Sequence, residues 1–146
     1  MSSAPTFHVT PVFPRGFRCA SRNVGLKPSA PDLTLFASDV DAAAAAVFTR
    51  NHFPGAPIVL GRETIKGGVL RAVIANSKVS NVATGTRGVE HARRMAVAAA
   101  AELGSSPDRM LVSSTGVIGV LLDDKKIAAR LQEVETKLDS DVPPTA

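Results

Sequence analysis

The chain lacks several residue types that a stapled or aromatic-rich domain would need. Its 146 residues include no Trp, no Tyr and one cysteine, Cys19. A single cysteine cannot form an internal disulfide, so a disulfide-stapled secreted domain is excluded. All six Phe occur at or before Phe53, whereas 22 Ala and 17 Val supply much of the apolar content. The second half must therefore pack with small aliphatic side chains, against a sheet or against another chain.

Long apolar runs are also missing, and we expect no secretory leader. Arg93, Arg94 and Glu102 interrupt the most apolar stretch, which is too short to span a bilayer. The first residues show no basic segment followed by an apolar one. Residues 1–31 contain no acidic residue, as in a mitochondrial presequence, but prolines and glycines between their cations would break an amphipathic helix. We expect a cytoplasmic protein with no membrane partner.

The charge is modestly basic, with a net charge of +4 and a pI near 9.7. A basic pI can mark a nucleic-acid partner, and nucleic-acid binding is one alternative function. The cations are dispersed, however, with no aromatic-interleaved basic patch and no RNA- or DNA-binding motif. We expect no nucleic-acid partner and a surface that is solvated or attracts small acidic metabolites.

Composition and length indicate one folded domain. Hydrophobic residues make up 45% of the chain and charged residues 21%, which excludes disorder for most of its length. Three prolines in residues 1–14 predict an N-terminal arm, and residues 139–146 read as a polar tail. Residues 15–138 then form a single domain.

Hydrophobic patterning predicts a mixed set of elements. Strands are expected at 33–37, 45–49, 70–75 and 110–114. A helical turn over 42–46 is the alternative to the second of these, and residues 58–60 are a short buried run. The order of strands and helices predicts an α/β class, with α+β mixed sheets and helices packed on them.

Two helices have clear signatures. The first has Thr86 as N-cap, Glu90 in its first turns and Gly104 just past its end. Five apolar residues at helical spacing form one face of it: Val89, Ala92, Ala96, Ala99 and Leu103. The second spans about 124–138, since Ile127, Leu131, Val134 and Leu138 share one stripe.

Metal and cofactor signatures are weak. His8, His52 and His91 lie far apart in sequence, so they read as surface or structural residues and no metal site is expected. Cys19 has no nearby base and reads as a packing residue. No phosphate-binding loop motif occurs, and we expect no cofactor.

Two loops carry the remaining candidate chemistry. NSKVSNVATG, at 76–85, joins the best strand to the best helix, where small polar residues can surround an anion. SSTGVIG, at 113–119, ends a strand with a hydroxyl beside a glycine. That pairing can present an O–H and a backbone N–H to one point, as an oxyanion hole requires. Taken separately, each loop is better explained as an ordinary connection rich in turn-forming residues.

A family resemblance joins these loops. Motifs occur in the order GFR at 16–18, VFTRN at 47–51, AP at 56–57, RAVIANS at 71–77, NVATG at 81–85 and SSTGVIG at 113–119. From about residue 15 to 131 the chain resembles the N-terminal part of the ornithine acetyltransferases, or bifunctional glutamate N-acetyltransferases. NVATG resembles the branch associated with clavulanic-acid-type pathways. Lys78 stands where family members usually have a glycine.

The resemblance implies an acyl-transfer mechanism. Family members transfer acetyl from N-acetylornithine to glutamate through an acyl-threonine, and some use acetyl-CoA as the donor. The nucleophile is the N-terminal threonine of a β chain released by self-cleavage. By the resemblance, Thr115 through its hydroxyl and Gly116 through its backbone N–H form the oxyanion hole. Ser114, Asn76 and Thr84 are implied as supporting or substrate-binding residues.

The chain departs from the family in its last part. The later Thr-Thr-Asp stretch and the Ala-Thr cleavage junction are not found in these residues. We therefore expect either the N-terminal, α-chain-like part of an acetyltransferase or a truncated homologue. In the first case the chain is inactive alone and pairs with a β chain, in an α2β2-type assembly acting on amino-acid substrates. In the second it is a non-catalytic metabolite-binding or assembly module.

Overall fold

The structure, a computed structural model, describes residues 14–138, which form four strands and three α-helices. The strands are β1 Phe17–Arg22, β2 Leu33–Ala43, β3 Val69–Asn76 and β4 Met110–Ser114. The α-helices are α1 Ala56–Thr64, α2 Gly85–Glu102 and α3 Asp124–Glu135. Short 3₁₀ turns occur at Ile65–Gly67 and Pro107–Arg109. The predicted tail, and the predicted arm apart from Pro14, lie outside the described residues.

The strands form one mixed sheet in the order β1-β2-β3-β4. The β1–β2 and β2–β3 pairs are antiparallel, whereas β3 and β4 are parallel and are connected through α2. Parallel neighbours need such a crossover, and a helix is its usual form. The predicted α/β class is therefore confirmed, and the ends of β3 and β4 lie side by side.

One face of the sheet carries the core. Ala20, Leu35, Ile74 and Val112 are paired across the four strands, and each is at most 4% exposed. The helices bury complementary apolar stripes, which comprise Ala92, Met95, Ala96 and Ala99 of α2 and Ile127, Leu131 and Val134 of α3. Alanines on α2 allow close packing, as the composition predicted.

The opposite face of the sheet is more open. Its cross-strand row is Cys19, Phe36, Val73 and Leu111, all exposed or half-buried. Phe36 is 43% exposed, and a groove of about 190 Å³ runs beside it, lined by residues that include Phe17 and Leu70. Sheets of α/β proteins usually bury both faces, so this surface, the open sheet face, is available for a further layer.

One sequence expectation before β3 was wrong. Residues 45–49 form neither a strand nor the alternative helical turn; they follow β2 as an irregular segment. After the bond from Ala44 N to Gly68 O (2.9 Å) no strand lies beside them, and Phe48 instead packs closely on Gly61 of α1. The short run 58–60 lies inside α1, where Pro57 occupies the first turn.

The start of α2 also differs from its prediction. The N-cap is Thr84, not Thr86, and the Thr84 hydroxyl donates to Asn81 Oδ1 (2.8 Å) instead of capping the first turn. The predicted end is confirmed, since Gly104 has φ +57 just after α2. The last predicted helix is confirmed as α3 but ends at Glu135, although Leu138 in the following turn is still fully buried.

A polar clamp joins α2 to α3. Arg94 Nε donates to Asp124 Oδ2 at 2.5 Å, and His91 Nδ1 lies 2.6 Å from both Asp124 Oδ1 and Leu122 O. Both of these oxygens are acceptors, so Nδ1 of His91 carries a proton that it donates to them. Burial raises the pKa of the Asp124 carboxyl, but the Arg94 hydrogen bond and the positive charges of His91 and Arg94 outweigh it, leaving the pKa below its usual range.

This clamp predicts a pH-dependent contribution to stability. Asp124→Asn should lower the free energy of unfolding by about 1–2 kcal/mol at pH 7, as the loss of a charged hydrogen bond does. Because the folded-state pKa is depressed, the contribution is present above about pH 4 and is lost as pH falls through the folded value. Urea unfolding of both proteins at several pH values from about 7 to about 2 checks this, with the exposed-pair variant Glu133→Gln as control. A gap between the two proteins that does not narrow as the pH falls below about 4 would contradict it.

Candidate active site

The two candidate loops meet at the ends of the parallel strands. Asn76 of β3 pairs with Ser114 of β4, and the chain after each strand continues alongside the other. Val79 and Val117 form a parallel bridge beyond the strands, supported by the bonds Val117 N to Lys78 O (2.9 Å) and Ser80 N to Val117 O (3.0 Å). Segments 76–85 and 113–119 therefore form one site at the carboxyl edge of the sheet, which is the usual site position in α/β folds.

Asn76 links these segments through its side chain. Its Oδ1 accepts from Ser114 Oγ at 2.6 Å, and its Nδ2 donates to Val79 O at 2.9 Å. Its backbone carbonyl accepts from Thr115 N at 3.0 Å. Asn76 is only 2% exposed, so its amide is engaged inside the protein. Three of the five predicted site residues, Asn76, Ser114 and Thr115, are thus in direct contact.

Gly116 occupies a position that only glycine fits. Its φ is +129, which L side chains rarely adopt, and a Cβ built there would lie 2.3 Å from the backbone C and O of Lys78. The amides on either side, those of Thr115 and Val117, donate into the 76–85 loop. Within residues 14–138 the N–H of Gly116 has no acceptor. It is therefore a free backbone donor at the surface.

Thr115 adds a second donor from the adjacent residue. It is exposed, and its hydroxyl makes no hydrogen bond with any residue in the range 14–138. The apolar residues Val117, Ile118 and Val120 follow it and are also exposed, with Ile118 at 64%. A free hydroxyl and a free N–H beside an apolar surface can stabilise a developing oxyanion once that surface is covered and water is excluded.

Thr84 lies apart from this pair. Its hydroxyl bonds Asn81, whose Nδ2 donates to the carbonyl of Gly88 at 2.8 Å. Asn81 is fully buried, and its backbone carbonyl accepts from Ala56 N at 3.0 Å, so it joins α1 to the start of α2. Sequence reasoning missed Asn81 and also Ser80, whose hydroxyl donates to Val117 O at 2.9 Å. For Asn81, the signal available in the sequence was that asparagine tolerates a positive φ.

The loop holds strained backbone at Lys78. Its φ is +90, and Asn81 and Ala83 also have positive φ, at +52 and +60. The glycine usual at this position in the resembled family would adopt that conformation freely. Lys78 adopts this positive φ at a cost in free energy.

Replacing Lys78 should therefore stabilise the chain. We expect Lys78→Gly to raise the free energy of unfolding by about 1 kcal/mol relative to Lys78→Ala, because only glycine removes the positive-φ cost. The alanine variant is the matched control, since it deletes the same exposed charge but keeps Cβ. Urea unfolding measures both. Equal stability of the two variants would show that Lys78 is not strained.

The remaining candidate residues lie elsewhere. His52 is exposed, His91 belongs to the α2–α3 clamp, and Cys19 is half-buried on the open sheet face. His8 lies outside the described residues. Residues 14–138 contain no group of three or more His, Cys, Asp or Glu that could hold a metal ion. Over the same range, no helix combines the length and apolarity that crossing a membrane requires.

Comparison with known proteins identifies relatives of this chain. It is 48% identical over 123 residues to the arginine biosynthesis bifunctional protein ArgJ of Thermus thermophilus, covering 83% of this chain and 32% of that protein. It is 42% identical over 120 residues to the Bacillus subtilis protein of the same name, covering 82% and 30%. The chain thus spans about a third of the length of these curated relatives.

Solved structures agree with this comparison. The ornithine acetyltransferase of Mycobacterium tuberculosis, solved with ornithine, matches with a TM-score of 0.84 and 37% identity over 88% of this chain and 70% of that one. The ArgJ protein of Bacillus halodurans matches with a TM-score of 0.78 and 30% identity, over 90% and 74%. A profile of the ArgJ family matches residues 18–145. The chain therefore belongs to the ArgJ family, of which it represents the N-terminal region.

Proposed function

We propose that the chain is the α-chain-like part of an acetyltransferase that moves acetyl from N-acetylornithine to glutamate. In this proposal Thr115 and Gly116 form the oxyanion hole, and the nucleophilic threonine lies in the C-terminal part of the protein. One observation carries the proposal: Gly116 is exposed and its N–H has no acceptor among residues 14–138, while the amides of both neighbouring residues are held by the 76–85 loop. A rigid, unsatisfied N–H beside a free hydroxyl is what a developing oxyanion requires.

The chemistry places each donor in a defined step. The nucleophile's oxygen attacks the acetyl carbonyl carbon, its proton passes to the terminal amino group of the same threonine, and the C=O electron pair moves to oxygen. Thr115 Oγ–H and Gly116 N–H donate to that oxygen. When the C=O bond re-forms, ornithine leaves and takes the proton on its amine. Glutamate's amine then attacks the acyl-threonine carbonyl carbon, which forms a second tetrahedral intermediate in the same oxyanion hole. Its collapse breaks the bond to the threonine oxygen, which regains a proton, and N-acetylglutamate leaves.

The open sheet face supports a second chain as partner. It presents Phe17 and Phe36, 44% and 43% exposed, beside an apolar groove. Exposed aromatic side chains on one face of a sheet mark a surface that another layer covers. We propose that the C-terminal, β-chain part packs here and meets Thr115 at its edge, in an α2β2-type assembly. The open sheet face and the site would then be completed together.

The remaining properties are proposed on the same basis. Acetyl-CoA would act as an alternative acetyl donor, a substrate and not a resident cofactor, and the protein would act in the cytoplasm. ArgJ relatives from fungi carry a mitochondrial designation, for example that of Pyrenophora tritici-repentis. The arginine pathway is favoured over an antibiotic pathway because the relatives are named as arginine biosynthesis proteins.

Reconstitution tests the proposal. The chain would be co-expressed with the C-terminal two thirds of the Thermus thermophilus relative, with which it shares 48% identity in the matched region. We expect co-purification and transfer of acetyl from N-acetylornithine to glutamate, with neither part active alone. A complex that forms and folds but transfers no acetyl would favour the non-catalytic assembly module instead.

A further inference from the structure

Asn76 is a junction of three chain segments. Its side chain contacts the end of β4 through Ser114 and the following loop through Val79, while its carbonyl holds Thr115. Two of these bonds, at 2.6 and 2.9 Å, use the two ends of the carboxamide, and the third, at 3.0 Å, uses the backbone carbonyl. A buried amide with both ends satisfied has one favourable orientation, because any rotation leaves a polar atom unpaired.

The position of Gly116 depends on this junction. The bond from Thr115 N to Asn76 O fixes the residue before Gly116, and the bond from Val117 N to Lys78 O fixes the residue after it. Lys78 in turn lies between Asn76 and Val79, whose carbonyl Asn76 Nδ2 holds. The backbones are in contact at this point, since a Cβ on Gly116 would reach Lys78 at 2.3 Å. The direction of the Gly116 N–H is thus set from both sides.

We propose that Asn76 and Ser114 are a positioning pair that aims the Gly116 N–H at the oxyanion, without either side chain binding substrate. The inference rests on the proposed function and adds to it a division of roles: Thr115 and Gly116 donate, and the buried Asn76–Ser114 bond holds them in place. Catalytic donors act only within a narrow range of geometry, and a displacement of about 1 Å can lower a rate about a hundredfold.

Two variants of the reconstituted enzyme test the two halves of the junction. Ser114→Ala removes the hydroxyl that fixes Asn76 Oδ1, and Asn76→Asp keeps that acceptor but replaces the donor to Val79 O by a second acceptor. We expect each to lower kcat by about 10- to 100-fold with KM for N-acetylornithine within about twofold, since only the transition state uses the donor. Ser114→Thr, which keeps the hydroxyl, should restore most of kcat. Ser106→Ala, which removes an exposed serine hydroxyl outside both site segments, is the matched control and should keep wild-type kcat.

The outcomes separate this inference from the proposed function. Folded enzyme is counted by titrating the acylatable threonine, and kcat is expressed per folded site. The effect of Ser114→Ala should largely persist in the Thr115→Ala background, because the Gly116 N–H that the pair aims is still present there. The positioning role is overturned if the wild type is active and Ser114→Ala has the same kcat. It is also overturned if the activity lost in Ser114→Ala equals its loss of folded sites. A reconstituted wild type that folds but is inactive overturns the proposed function itself, and the positioning role with it.

Discussion

Replacing Thr115 by alanine should lower kcat of the reconstituted enzyme by about 10²- to 10³-fold, as loss of one oxyanion donor does. The hydroxyl is free and exposed, so its removal leaves no buried group unpaired. The free energy of unfolding should therefore change little. KM for N-acetylornithine should also stay near the wild-type value, because the donor acts on charge that develops only in the transition state.

Two comparisons make the Thr115 result interpretable. Thr115→Ser keeps the hydroxyl and should retain most of the rate. Ser106→Ala removes an exposed hydroxyl from the segment that precedes β4 and should leave kcat unchanged. Steady-state rates of acetyl transfer to glutamate measure all three variants. A Thr115→Ala enzyme with the wild-type kcat would remove Thr115 from the oxyanion hole.

Gly116→Ala should have the largest effect on the fold. The new Cβ would lie 2.3 Å from the backbone of Lys78, where no flexible side chain can move aside, and φ +129 is unfavourable for alanine. Overpacking and positive-φ strain together should cost about 3 kcal/mol or more. We expect a protein that is strongly destabilised and inactive, because the β3 and β4 ends can no longer approach each other.

Gly119 supplies the matched control for this substitution. It also has a positive φ, +81, but nothing lies within 4 Å of a Cβ built there. Gly119→Ala should therefore show only the conformational cost of about 1–2 kcal/mol and retain activity. Urea unfolding and transfer rates distinguish the two variants. Equal stability of Gly116→Ala and Gly119→Ala would contradict the close contact between Gly116 and Lys78.

The strands with strong apolar patterns were predictable and the others were not. Residues 110–114 match β4 in full, and 70–75 lie within β3, because both are runs rich in aliphatic residues. β1 was missed, since FRCASR has no clear alternation and pairs only because β2 lies beside it. The segment 45–49 has strand-like residues but no partner strand. Pairing is a tertiary property that a local pattern does not contain.

The site was predictable in its residues but not in its connections. The resemblance carried by SSTGVIG and RAVIANS singled out Thr115, Gly116, Asn76 and Ser114 as candidates. That Asn76 and Ser114, 38 residues apart, bond directly depends on the parallel register of β3 and β4. The left-handed conformation of Lys78 was hidden as well, because lysine gives no signal of positive φ. The resemblance gave the expected role of SSTGVIG, whereas the hydrogen bonds that hold this segment in place became visible only in the structure.

Acylation in the absence of acceptor tests the central claim most directly. The reconstituted enzyme would be mixed with N-acetylornithine without glutamate, and ornithine release would be followed by rapid quench while the C-terminal chain is examined by mass spectrometry. We predict a burst of one ornithine per site with an acetyl group on the C-terminal chain, and a slower burst of the same amplitude for Thr115→Ala. A burst whose rate is unchanged by Thr115→Ala, or no acetylated chain at all, would contradict the account.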